Sequence, residues 1–243
     1  MKSIAPFHFK QFSLNHRASP MPIGIDSMLL GGWCLPPTDG NILDVGTGCG
    51  LLAFMCAQKS PNAFITGIDI SKNAIEEAEG NRLQSAWHKR MQFLTQDLKN
   101  HQPSVPFDFI ISNPPYFDLN KNTAQSHNEE RANARHQNQL SLEDLILFAS
   151  SHLTDKGKLA LVLPYALWNA LMDLLLKHNF IIERALFVQP TLDKPINRFL
   201  VEISKLNSTD SSISDNSSNT LVLRENNGAY TDAYKKLTEA FYR

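Results

Sequence analysis

Little in this chain points to a specialised environment. Its 243 residues include three cysteines, Cys34, Cys49 and Cys56, too few and too unevenly spaced for a zinc site or a disulfide framework. No apolar run approaches the ~18 residues that a membrane span requires, and the opening MKSIAPFHFKQF lacks the apolar stretch of a secretory leader. The cytoplasm is therefore the expected compartment. An excess of charge of one sign is also missing. Lys and Arg total 23 against 24 Asp and Glu, so composition carries no nucleic-acid footprint, and any such surface must be a local patch. No repeat and no exposed heptad pattern is visible, which makes a monomer the expectation.

What is present is an ordinary globular composition, 42% hydrophobic and 19% charged, long enough for one large domain over residues 1–243. Residues 1–40 read as an arm and a lead-in helix. Lys2, Lys10 and Arg17 alternate there with Phe7, Phe9 and Phe12, a mixture able to meet a nucleic-acid backbone and bases or to pack on the domain. Asp26 is placed to cap a short helix carrying Met28, Leu29 and Leu30. Strand and helix then alternate. Strands are expected at 41–45, 63–70, 91–94, 107–111, 158–163, 181–188 and 198–203, with a turn at 154–157 before the fifth and helices after the first two and over 165–178. The pattern predicts an α/β fold, a mostly parallel seven-stranded sheet with helices on both faces. Two segments break it. Residues 117–139 are polar and read as a long loop beside the site. Residues 207–219, NSTDSSISDNSSN, read as a disordered insert. Behind the insert, 220–243 offers an edge strand at 221–223 and an amphipathic helix within 230–242.

The chemistry concentrates at strand ends. Asn113-Pro114-Pro115-Tyr116 follows the apolar run 107–111. Two prolines stop the strand and stiffen the turn, at the carboxyl edge where open α/β sheets bind ligands. The Asn113 amide, a free carbonyl and the Tyr116 ring suit a flat, amine-bearing group; a plain Asx-Pro turn is the simpler alternative. Upstream, Asp44-Val45-Gly46-Thr47-Gly48-Cys49-Gly50 joins a strand to a helix. Its Gly-x-Gly-x-Gly spacing differs from the Gly-x-Gly-x-x-Gly dinucleotide fingerprint. Asp44 precedes the first glycine, where it can anchor an ammonium or a water. Asp69, with Ile70 beside it, ends the second strand, placed for ribose hydroxyls. Asp97 follows the third, within reach of an adenine amine. Asp69 and Asp97 also suit helix caps. The set as a whole fits S-adenosylmethionine better than NAD or FAD.

In this order of motifs the chain resembles the class I S-adenosylmethionine-dependent methyltransferases that carry the Asn-Pro-Pro-Tyr signature of amino-group methylation. More narrowly it resembles the bacterial adenine-N6 methyltransferases of tRNA(Val). The narrower likeness rests on Phe9-Lys10-Gln11-Phe12, on 21–31, on Arg131, Ala134, Arg135 and His136, and on Gly228-Ala229-Tyr230-Thr231 with Phe241-Tyr242. Ile25, His16 and the Ser/Asn-rich insert depart from that family's pattern. The resemblance implies a Rossmann-like fold and methyl transfer, without a metal, to the exocyclic amine of the adenine next to the anticodon. Asn113 and the Pro114 carbonyl would receive the amine and Tyr116 would stack on the base. Asp44, Gly46, Gly48, Gly50, Asp69, Ile70, Asp97 and Asn113 would hold the cofactor, and Arg131, Arg135, Lys10 and Arg17 are candidate tRNA contacts. The same turn serves methyltransferases of release-factor glutamine and of ribosomal RNA guanine-N2. The first carry a long N-terminal helical domain and the second a duplicated domain, for which this sequence leaves no room. DNA adenine methyltransferases need a target-recognition domain, also unaccommodated, so no DNA partner is expected. A catalytically silent RNA-binding module is opposed by the intact set of chemical residues.

Overall fold

The computed structural model describes residues 5–16, 23–114, 140–206 and 219–242. Among the described residues, eight strands form one sheet in the order β10-β8-β9-β7-β6-β3-β4-β5, one more than the seven-stranded sheet that the pattern predicts. The strands are β3 (Asn41–Val45), β4 (Phe64–Asp69), β5 (Met91–Thr95), β6 (Phe107–Ser112), β7 (Leu153–Pro164), β8 (Phe180–Gln189), β9 (Arg198–Lys205) and β10 (Asn219–Val222). The additional strand is β10, the edge strand expected at 221–223, which pairs parallel with β8. It begins at Asn219, inside the stretch read as a disordered insert; the rest of that insert, and the polar loop 117–139, lie outside the described residues. Only β9 runs antiparallel, between β7 and β8.

Alternation along the strands explains the layers. Ile42 of β3 and Ala160 and Val162 of β7 face one core, and Leu43, Leu159 and Leu161 face the other. On the first face pack α1 (Ile25–Trp33), α2 (Leu51–Lys59), α3 (Lys72–Leu83) and α6 (Asp232–Thr238). On the second lie α4 (Leu142–His152), opened by a Ser141–Asp144 capping box, and α5 (Trp168–Lys177).

Two local expectations change and one alternative is decided. Residues 154–157 are not a turn ahead of a strand. Phe107 pairs with Leu153 and Phe109 with Lys158, so the four residues bulge out within β7 while both flanks keep to β6. Asp26 does not cap α1, because Gly24 occupies that position and Asp26 is buried in the first turn. Of the two alternatives open to the N-terminal arm, its aromatic rings Phe9 and Phe12 take packing on the domain. The arm forms a two-stranded hairpin, β1 (Phe7–His8) with β2 (Ser13–Leu14). Phe9 and Phe12 stack on each other at 4.4 Å, and Phe12 continues onto Phe54 of α2 at 5.5 Å. Both rings are buried in the core and unavailable to bases.

The topology places the site. From β3 the chain winds outward to β4 and β5, and β6 then returns to the other side of β3. This is the switch point at which ligands bind such sheets. Val45 is paired with Ser112, so the glycine turn and Asn113 leave adjacent strands at one level.

Candidate active site

The glycine turn is shaped by backbone conformations that side chains disfavour. Gly46, Gly48 and Gly50 have φ of +70°, +57° and +95°. Gly46 and Thr47 both donate their N–H to the Ile68 carbonyl, at 2.9 and 3.0 Å, which ties the turn to β4. Asp44 is fully buried beneath it. Its Oδ2 accepts from the Thr47 hydroxyl at 2.6 Å and from Ala53 N–H of α2 at 3.0 Å. Its Oδ1 is buried with no partner among the described residues. Burial pushes the Asp44 carboxyl up to about 7, against the lowering pull of the Thr47 and Ala53 bonds, with repulsion from Asp69 adding to the rise. Burial likewise pushes the neighbouring Cys49 thiol up to about 12, so it stands as a neutral wall of the turn.

Asp69 grips backbone with both oxygens. Oδ2 accepts from Gly48 N–H at 3.0 Å and Oδ1 from Ser71 N–H at 2.8 Å. Each oxygen keeps a second lone pair for a ligand hydroxyl. Ser71 in turn caps α3 by accepting from Ala74 N–H. Ile70 is 70% exposed at this edge, an apolar surface open to a flat ring. Asp97 caps the short turn Leu98–Asn100, accepting from Lys99 N–H at 3.0 Å.

Across the switch point, β6 delivers Asn113 and the buried Pro114. Asn113 Nδ2 donates to the Ser27 hydroxyl at 2.9 Å. Its Oδ1 is buried with no partner among the described residues. Ser27, Gly46, Thr47, Gly48, Leu51 and Asn113 line one cavity. Ser27 belongs to the part of the site that sequence reasoning missed. The helix signal was legible, but its contact with Asn113 spans 86 residues. Next to it, Asp26 is in contact with Arg198 of β9. Burial alone pushes the Asp26 carboxyl up to about 6 and the Arg198 guanidinium down; the charge of each partner opposes that drift.

The expected RNA contacts fare differently. Tyr116, Arg17, Arg131 and Arg135 lie outside the described residues. Lys10 donates to the Glu239 carbonyl at 2.5 Å. Ala240 beside it accepts from Gln58, in the last turn of α2. Because α2 runs away from the glycine turn, Lys10 is not brought together with Asn113. Arg90 is a structural tie that donates to the carbonyls of Ala57, Ser60 and Ala63.

The residues fit S-adenosylmethionine. Its sulfonium and ammonium charges suit carboxylates, and its ribose needs acceptors. Asp44 lies beneath the glycine turn and Asp69 against it, and two buried oxygens, Asp44 Oδ1 and Asn113 Oδ1, have no partner among the described residues. A Cβ added to Gly46 would meet nothing within 4 Å, so the turn leaves ligand space above it. No Lys or Arg is among the described residues lining the cavity, which suits a cationic ligand better than a pyrophosphate.

Comparison with known proteins agrees. The Methyltransferase small domain family model matches residues 26–180. The tRNA1(Val) (adenine(37)-N6)-methyltransferase of Vibrio cholerae El Tor is 39% identical, aligned over 97% of this chain and 94% of its own. The Vibrio parahaemolyticus protein of the same name is 36% identical over 97% and 95%. The crystal structure of a predicted O-methyltransferase, Atu636 from Agrobacterium tumefaciens, superposes with a TM-score of 0.66 at 20% identity, covering 89% of this chain and 96% of that one, and so shares the fold. With a Methyltransferase small domain, a class I methyltransferase fold and relatives matching over almost its whole length, the chain belongs to the family of the tRNA1(Val) (adenine(37)-N6)-methyltransferases and is an S-adenosylmethionine-dependent enzyme.

Proposed function

We propose that the protein transfers a methyl group from S-adenosylmethionine to the exocyclic amine of an adenine in tRNA, at the adenine next to the anticodon of a valine tRNA. The observation that carries the chemistry is Asn113, whose Nδ2 is tied to Ser27 while Oδ1 is left unpaired at the cavity. The substrate is supported by the relatives, which are named for that reaction and align over 97% of the chain.

The adenine amine is a poor nucleophile because its lone pair is delocalised into the ring. Asn113 Oδ1 and the Pro114 carbonyl accept its two hydrogens. That favours a pyramidal nitrogen, aims the lone pair and stabilises the positive charge that develops on it. Bound S-adenosylmethionine supplies a methyl group already activated on a sulfonium, so the step needs no metal. Asp69 receives the ribose hydroxyls beside Ile70, Asp97 accepts from the cofactor's adenine amine, and Asp44 with the glycine turn receives its amino-acid end. After transfer the nitrogen is cationic and loses its proton to water. In this reading Tyr116 stacks on a base turned out of its neighbours, and Arg17, Arg131 and Arg135 meet phosphates. The protein acts as a monomer in the cytoplasm, where its tRNA is.

The test is transfer from labelled S-adenosylmethionine into separate pools of undermodified tRNA, ribosomal RNA, DNA and release factor, followed by nucleoside mass spectrometry. Label in tRNA as N6-methyladenosine is expected. Label in another pool alone overturns the substrate.

A further inference from the structure

An amide that must present its oxygen to a reacting amine has to be held by its other end. Asn113 follows a strand that ends at Ser112, and nothing in the strand's own ladder restrains its side chain. The restraint comes from another element. Ser27, in the first turn of α1, accepts the Asn113 Nδ2–H at 2.9 Å, and no second partner of the amide is found among the described residues. The hydroxyl is itself placed from below. Asp26, one residue earlier, is buried against Arg198, and the far end of the helix is fixed by the Leu35 N–H bond to Glu202 at 2.7 Å. The wall of the cavity that meets Asn113 is therefore a helix locked onto β9.

From this geometry we infer that Ser27 is a positioning residue for methyl transfer, holding the Asn113 side chain in the rotamer that turns Oδ1 toward the target amine. This rests on the reading that Asn113 receives that amine. Ser27 touches neither reacting atom; it removes the freedom of the group that does. Without the hydroxyl, Asn113 samples other rotamers, and only a fraction of complexes has Oδ1 in place. Misplacing an orienting group by about an ångström costs on the order of 10²-fold in rate.

The experiment compares Ser27→Ala, Ser27→Thr, Asn113→Ala and the Ser27→Ala/Asn113→Ala double variant in single-turnover transfer to undermodified tRNA, with S-adenosylhomocysteine binding measured in parallel. Ser27→Ala is expected to slow transfer by tenfold or more, with cofactor affinity within about threefold of wild type. Ser27→Thr, which keeps the hydroxyl, restores most of the rate. In the Asn113→Ala background, Ser27→Ala has no further effect, because a residue that acts only through another becomes silent once its partner is gone. Three results would overturn the inference: an unchanged rate in Ser27→Ala, an equal multiplicative loss in both backgrounds, or a loss that tracks cofactor affinity. Each leaves the reading of the reaction intact. Wild-type protein that binds cofactor but transfers no methyl to tRNA would instead sink that reading, and the role of Ser27 with it.

Discussion

Arg198 and Glu202 stand four residues apart on one face of β9, and each holds one end of α1. Four strand residues span ~13 Å and a nine-residue helix is about as long. Arg198 is in contact with Asp26 in the first turn, and Glu202 accepts Leu35 N–H just past the last. Arg184 of β8 reinforces the second clamp. It donates to the Trp33 carbonyl at 2.7 Å, its guanidinium lies 3.9 Å from the centre of the Trp33 ring, and its Nε is 3.6 Å from Glu202 Oε2. Glu202 is fully buried, so its removal takes the acceptor from Leu35 N–H and the carboxylate from the partly buried Arg184. Glu202→Ala should destabilise the fold by ~3 kcal/mol in urea unfolding, and Glu202→Gln, which keeps an acceptor, by ~1 kcal/mol.

Asn113 and Asp69 should separate rate from binding. Asn113→Ala is expected to slow transfer on the order of 10²-fold while S-adenosylhomocysteine affinity stays nearly constant. Asp69→Ala should weaken cofactor binding first, because it removes the proposed ribose acceptor and also frees Gly48 and Ser71 N–H. Calorimetric titration beside single-turnover rates distinguishes the two. An equal loss of cofactor affinity in Asn113→Ala would give that residue a structural role.

If Asp44 receives the cofactor as proposed, its titration should make cofactor binding depend on pH. Its carboxyl rises from an ordinary 3.8 to about 7 in the folded protein, chiefly through burial. Between those values the native state binds more protons than the unfolded chain, so stability falls as pH rises across that window, and the cost is fully present above pH 7. A cationic cofactor prefers the ionised carboxylate. Affinity for S-adenosylmethionine should therefore tighten as pH rises from 5.5 through 7 and then level off. Asp44→Asn should flatten that rise and bind more weakly at pH 8. Parallel slopes in the two proteins would place the titration on another group.

Gly46 and Gly50 share a positive φ but differ in surroundings. A Cβ on Gly50 would lie 3.0 Å from Phe54 and Phe93 ring atoms, whereas one on Gly46 meets nothing. Gly50→Ala should cost ~2 kcal/mol or more through strain and overpacking. Gly46→Ala should cost ~1 kcal/mol in stability and show its main effect as weaker cofactor binding. Thermal melts with and without S-adenosylhomocysteine separate the two.

Much of the frame was legible because its signals are local. The runs 41–45, 91–94 and 107–111 sit within a residue or so of the observed strands, and the acids and glycines fall at strand ends as the alternation implies. What was misread or left open shares one physical cause. Phe9 and Phe12 look alike in a solvated arm and in a packed hairpin until α2 supplies Phe54 to stack on. Residues 154–157 have turn chemistry, yet β6 pairs with the chain on both sides of them. Asn219 closes a polar tract, and only the free edge of β8 turns it into a strand.

By itself the sequence determined the α/β alternation, the glycine turn, the acids at the ends of β3 and β4 and after β5, and the Asn-Pro-Pro-Tyr stop after β6. Each is written in backbone preference and spacing along a few consecutive residues. The tertiary structure decided which side chains answer one another across the chain: Asp26 with Arg198, Leu35 with Glu202, Asn113 with Ser27, and an Asp44 oxygen left buried beneath the turn. Hydrogen bonds and ion pairs act over about 3 Å, and separations of 86 to 172 residues are brought within that range only when the sheet order and both packed faces are in place.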